Sequence, residues 1–222
     1  MTTKTRVYIT DDHALVRRGL AAMIEAEGDM ELCGEAEDCA TATCDIGRLR
    51  PDVVIVDISL RGNSGLELIK NIRACDPRIQ IVVLSVHDES LYALRVLKAG
   101  AKGYVMKQDI ATKVIDAIRK TRKGQMYVSE RVSGQMLNQL VKGNASPDDS
   151  PVACLSDREL EVATLIGSGL ATREIAVRLN MSVKTVETHR AHLKTKLHLQ
   201  TATQLVQFCV RWVEECKRMQ VA

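Results

Sequence analysis

Asp11-Asp12, Asp57, Ser85 and Lys107 each follow directly on a short apolar run: Val7–Thr10, Val53–Val56, Ile81–Leu84 and Gly103–Met106. If those runs lie side by side and point the same way, three carboxylates, a hydroxyl and an ammonium gather on one rim. Clustered carboxylates repel one another and stay ionised only beside a cation. An all-oxygen donor set without His or Cys suits Mg²⁺, which keeps several waters and shares phosphate oxygens. Lys107 offers a point charge to an incoming phosphoryl group. Asp57 is then placed to attack phosphorus, giving an acyl phosphate. Taken singly, an Asp after a strand is commonly a helix cap and a Ser a turn former. The conjunction at separate run ends carries the reading.

The elements that must position these residues are legible as alternating patterns. Val7–Thr10, Met30–Ala36, Val53–Val56, Ile81–Leu84 and Gly103–Met106 read as strands. Helical patterns separate or follow them near Ala14–Ala26, Thr41–Leu49, Leu66–Ala74, Ser90–Ala99 and Ala111–Arg122. β-branched runs between helices predict a parallel sheet covered on both faces. Five such units make a doubly wound α/β domain, whose ligands collect beyond the carboxyl ends of the strands.

A further helix is predicted near Ser129–Val141. Gly143–Pro151 (GNASPDDSP) is short, polar and rich in Pro, Gly and Ser, so it reads as a linker. The remainder looks all-helical. Ser156 with Glu159 forms a capping box with Leu155 able to staple onto Leu160, and Gly169 ends that helix. A short helix over Arg173–Leu179, a turn at Asn180–Ser182 and a longer basic helix from Val183 to Leu197 follow the helix-turn-helix plan. Thr201 and Gln204 open a last helix to about Lys217. On the basic helix, Val186, Leu193 and Leu197 fall at core spacing. Lys184, Arg190, Lys194 and Lys196 leave a polar side for a DNA major groove. A solvated face is the plain alternative for any basic helix; the preceding capped helices and turn weigh against it.

The chain has 222 residues, and its 45% hydrophobic and 27% charged content excludes a disordered chain. Of 31 Lys/Arg and 28 Asp/Glu, residues from Pro151 onward hold 10 and 7, so the excess of three positive charges lies wholly in the last third. That suits a phosphate-backbone partner for this part alone. Aromatics are 3%, which argues against recognition by base stacking. The seven cysteines form neither a C-x-x-C pair nor a Cys/His metal spacing and read as core filler in a reducing cytosol. The N-terminus lacks a signal-peptide run and no stretch reaches membrane-span length, so a cytoplasmic protein is expected.

The runs ITDDHALVRRGL, VVIVDISL…SGLELI, IVVLSVHD and AGAKGYVMK resemble the receiver domain of bacterial response regulators, over roughly residues 5–123. The stretch LSDRELEVATLIGSGLATREIAVRLNMSVKTVETHRAHLKTKLHLQ resembles the LuxR-type helix-turn-helix of NarL/FixJ regulators. The resemblance implies a flavodoxin-like sheet of order 2-1-3-4-5 and a division into receiver (1–125), connecting helix and linker (126–154) and DNA-binding domain (155–222). It implies Asp57 as phosphoacceptor, and Mg²⁺ held by Asp11, Asp12, Asp57 and the backbone carbonyl of Ser59. Lys107 becomes the phosphate-pairing cation, with Ser85 and Tyr104 as the switch pair. Lys184, Thr185, Thr188, Arg190 and Lys194 become the DNA contacts. A sensor histidine kinase and double-stranded DNA are the implied partners, with a homodimer on phosphorylation. Arg61 and Gln108 stand where the family often has Pro, Ala171 where it often has a Ser cap, and Glu187 where it is often basic. An aspartyl-phosphate phosphatase is the rival from another class. It places a second acid two residues after the nucleophile, and Ser59 occupies that position here. The expectation is therefore a transcription factor, not an enzyme. His87 and Ser59, each two residues beyond a site residue, are expected to tune how water reaches the acyl phosphate.

Overall fold

The computed structural model describes residues 4–60, 65–87, 89–141, 152 and 154–218. Its contacts divide the chain into two compact units, Met1–Met136 and Leu137–Ala222. The linker Gly143–Pro151 and the departure at Arg61 lie outside the described residues.

The first unit runs β1 (Thr5–Thr10), α1 (Ala14–Glu25), β2 (Met30–Ala36), α2 (Cys39–Leu49), β3 (Val53–Asp57), α3 (Gly65–Cys75), β4 (Gln80–Ser85), α4 (Glu89–Ala99), β5 (Gly103–Met106), a 3₁₀ turn (Lys107–Asp109) and α5 (Ile110–Arg122), and α6 (Glu130–Val141) begins in it and crosses the division. The strands form one sheet in the order β2-β1-β3-β4-β5, every pairing parallel. β3 is buried along its whole length because the sheet is covered on both faces. Val7, Ile9, Val53, Ile55, Val82 and Leu84 pack with Leu20 and Ile24 of α1 and Val114 and Ile118 of α5 in one core. Each such burial is worth roughly 1.5–3 kcal/mol. The core therefore holds the strand ends still beneath the rim.

Asp38 caps α2, accepting hydrogen bonds from the backbone N–H of Ala40 and Thr41. Two glycines mark places where backbones meet. A methyl group on Gly65 would lie 2.2 Å from the carbonyl oxygen of Asp57, so only glycine lets α3 start against the end of β3. One on Gly167 would lie 2.4 Å from the Cys209 carbonyl.

The second unit holds α7 (Asp157–Gly167), α8 (Thr172–Arg178), α9 (Val183–Lys196) and α10 (Ala202–Arg218). Ser156 and Glu159 form the complete capping box expected of them. Gly169 adopts φ 86° just past α7, where a left-handed residue ends the helix. α8 starts from Ala171 with only half a box. Glu174 accepts from the Ala171 N–H at 2.7 Å, but alanine offers no oxygen in return. Leu205, Cys209, Val213 and Cys216 are the buried stripe of α10.

Candidate functional site

At the carboxyl ends of β1 and β3 the rim is as tight as the sequence spacing requires. Asp11 and Asp57 are each 1% exposed. The Lys107 ammonium reaches both, 2.6 Å from Asp11 Oδ2 and 2.7 Å from Asp57 Oδ2. The other Asp57 oxygen accepts the Ser59 N–H at 3.0 Å. Asp12 stands beside them, half-buried, with the His13 ring nitrogen Nδ1 2.7 Å from its carboxylate. One ligand atom from each of Asp11, Asp12, His13 and Asp57 lies within 4.8 Å of the others. His13 is the addition the sequence reading missed. It follows the acidic pair directly, at the start of α1, and its backbone N–H donates to Asp11 Oδ1 at 2.8 Å while its ring makes no capping bond to the helix.

Burial pushes the Asp57 carboxyl above the usual carboxylate range; the Lys107 charge opposes this and the Asp11 charge adds to it. Burial works against the Lys107 ammonium, yet Asp57 and Asp11 together hold its proton more tightly than usual. Three carboxylates against one lysine leave the pocket short of positive charge. A divalent cation among the carboxylate oxygens fits that donor set.

Ser85 and Tyr104, the pair expected to form the switch, lie on the neighbouring strands β4 and β5. Ser85 is fully buried, and its hydroxyl accepts the His87 N–H at 2.9 Å. Tyr104 is 3% exposed, and its hydroxyl donates to the His87 carbonyl at 2.8 Å. His87 is the hub of this loop: its Nε2 is 3.0 Å from Ser59 Oγ, and its ring stacks on Tyr92 at 4.6 Å between centroids. The two residues flanking the site are thus joined to each other.

In the second unit, Val186 and Leu193 turn inward, fully buried. Lys184, Thr185 and Thr188 are exposed, as is Glu187. Thr185 also completes the cap of α9, its backbone N–H donating to Ser182 Oγ. Arg190 and Lys194 are half-buried. Arg190 is close enough to α10 for its charge to act on the Cys209 thiol. It stands four residues after Val186 and three before Leu193, so the helical period alone sets it beside the core. Among the described residues no helix is long and apolar enough to cross a membrane.

Residues 7–119 match the family "Response regulator receiver domain", and residues 153–209 match "Bacterial regulatory proteins, luxR family". The chain is 36% identical over 210 residues to the oxygen regulatory protein NreC of Staphylococcus haemolyticus, covering 93% of this chain and 97% of that one. Among solved structures it is similar to the RcsB response regulator of Salmonella typhimurium, with 27% identity, a TM-score of 0.62 and coverage of 94% and 98%. It is also similar to RcsB of Salmonella enterica serovar Typhimurium bound to promoter rprA in the presence of the phosphomimetic BeF3-, with 25% identity, a TM-score of 0.59 and coverage of 94% and 99%. The chain belongs to the two-component response regulators that join a receiver domain to a LuxR-type helix-turn-helix. It is a DNA-binding transcription factor, not an enzyme.

Proposed function

We infer that Asp57 accepts a phosphoryl group from a sensor histidine kinase and that this event sets the affinity of α9 for double-stranded DNA. An Asp57 oxygen forms the new bond to phosphorus as the donor's phosphorus–nitrogen bond breaks, and the electron pair leaves on the kinase histidine. Mg²⁺ would be held by Asp11, Asp12, Asp57 and the Ser59 carbonyl, and would supply positive charge to offset that on the phosphoryl oxygens. The chain's own groups do the rest. Lys107 exchanges its contact with Asp57 for one with the phosphoryl group. The Ser85 hydroxyl turns toward that group, and Tyr104 follows.

The observation that carries this reading is Asp57 itself: a buried carboxylate, bonded to a buried lysine, at the end of the central strand and beside two further carboxylates. On α9, Lys184, Thr185 and Thr188 are assigned to the groove, while Arg190 and Lys194, nearer the core, are assigned to phosphates. A homodimer forms on phosphorylation, and the protein works in the cytoplasm, where its kinase and DNA partners meet it. Moving the receiver from 1:99 to 99:1 between two states requires roughly 5.5 kcal/mol of preference for one of them.

The deciding test is DNA affinity with and without a small-molecule phosphodonor, wild type against Asp57→Asn. Wild type gains mass by one phosphoryl group and binds DNA more tightly; Asp57→Asn does neither. Equal DNA affinity for wild type in both conditions, with the phosphoryl group attached, would overturn the reading.

A further inference from the structure

The chain that leaves α5 does not depart from the receiver at once. Tyr127 lies beside the open edge of β5 as a parallel bridge to Gly103. Its N–H donates to the Lys102 carbonyl at 2.8 Å, and its carbonyl accepts from the Tyr104 N–H at 2.8 Å. Lys120 sits over the Tyr127 ring, 5.2 Å from its centroid. Two residues on, Ser129 caps α6, accepting from the Val132 N–H, and Val132 is fully buried. The same Ser129 hydroxyl donates to Glu89 Oε1 at 2.6 Å, and the Arg131 guanidinium lies 3.3 Å from that oxygen.

Glu89 is the first residue of α4, two positions after His87. His87 accepts from the Tyr104 hydroxyl, and the Tyr104 backbone holds Tyr127. The contacts therefore close a ring: Tyr104 main chain to Tyr127, connector to Ser129 and Arg131, these to Glu89, back along the chain to His87, and across to the Tyr104 side chain. One aromatic residue grips the connector from behind and the loop before α4 from the front.

We propose that residues 126–132 are a strap whose docking on β5 and Glu89 reports the state of the Asp57 site. The occupied face is the receiver's β5 edge, and its occupant is this chain's own connector. Movement of the Tyr104 hydroxyl off the His87 carbonyl frees the loop carrying Glu89. Glu89 then loses Ser129 and Arg131 together, and the strap loosens at the start of α6. The coupling to phosphate rests on the reading of Asp57 given above; the strap itself does not.

Hydrogen exchange of the full-length chain, read by mass spectrometry over residues 126–132, tests both parts separately. Without phosphodonor, Glu89→Ala and the milder Ser129→Ala each raise exchange of this segment, roughly tenfold for Glu89→Ala, because each removes a charge-assisted bond. Tyr104→Phe, which lacks the hydroxyl, raises it as well. Unchanged exchange in both Glu89→Ala and Ser129→Ala overturns the strap. With phosphodonor, wild type loosens over the same residues and Glu89→Ala gains little more. A wild type that carries the phosphoryl group yet exchanges as before overturns the coupling. A wild type that takes up no phosphoryl group overturns the Asp57 reading, and the strap is then decided by the variants alone.

Discussion

Asp57 in the first unit and Glu161 in the second are both almost completely buried carboxylates, but their surroundings differ. Glu161 has Arg158 at 2.5 Å on the same helix. Beside it, Glu159 binds Lys196 at 2.7 Å and the Ser156 N–H at 2.7 Å. That cluster is balanced, two carboxylates against two cations, and it ties α7 to α9. On the receiver rim Asp11 and Asp57 share the single ammonium of Lys107, and the Asp12 carboxylate stands beside them next to the His13 ring. Burial of charge is common to both places. The one we propose to be reactive, Asp57, is the one that the chain leaves short of positive charge.

The two clusters are therefore expected to respond to perturbation with opposite sign. The largest effect belongs to Arg158→Ala, which removes the guanidinium paired with buried Glu161. It is expected to cost the second unit about 3–5 kcal/mol, seen as an early transition in thermal unfolding. A transition at the wild-type temperature would mean that the Arg158–Glu161 pair contributes nothing to stability. Next comes Mg²⁺. At a concentration 100 times its Kd it should add roughly 2.7 kcal/mol to the first unit and leave the second where it was, a difference that calorimetry with and without a chelator resolves.

A smaller effect, of reversed sign, is expected for Asp57→Asn in chelator. Removing one of three like charges should stabilise the receiver by about 1 kcal/mol, whereas Glu159→Gln should destabilise the other unit. Urea melts of the two variants in parallel check it, and a destabilised Asp57→Asn breaks the comparison.

The acid response is smaller still. Burial alone would raise the Glu159 carboxyl, but hydrogen bonds from Lys196 and Ser156 bring it below the usual range. Its contribution to stability is thus present above the ordinary carboxylate pKa and is lost as pH falls through its lowered value. Asp57 runs the other way. Its raised pKa is a penalty at neutral pH, relieved as pH falls through that value. Separate pH titrations of the two unfolding transitions should therefore bend in opposite directions. Least of all in energy, but simple to read, is thiol labelling. Burial pushes the Cys209 thiol up to about 12, so an alkylating reagent at neutral pH should modify exposed Cys44, Cys75 and Cys154 and spare Cys209.

Much of this was visible before any fold was drawn. Each of Asp11, Asp57, Ser85 and Lys107 follows an apolar run, and parallel strands bring such ends to one edge. Buried Val186 and Leu193 and the Ser156–Glu159 box were equally legible, because they depend on helical period and local capping alone. Arg190 carries the same local signal, because the spacing that buries Val186 and Leu193 also draws Arg190 toward the core. The Tyr127 pairing had no such signal. A single residue on a sheet edge has no alternation to detect, and Glu89, 40 residues from Ser129, announces nothing by its position.

The sequence by itself determined the elements, the chemistry available at the strand ends and the family. These rest on local period, on capping and on which side chains follow which run. Only the tertiary structure decided how charge is shared: that one ammonium serves both Asp11 and Asp57, that His87 joins Ser59 to Tyr104, and that the connector closes back onto Glu89. Distances between side chains far apart in the chain are set by the packing of the sheet, and no local pattern contains them.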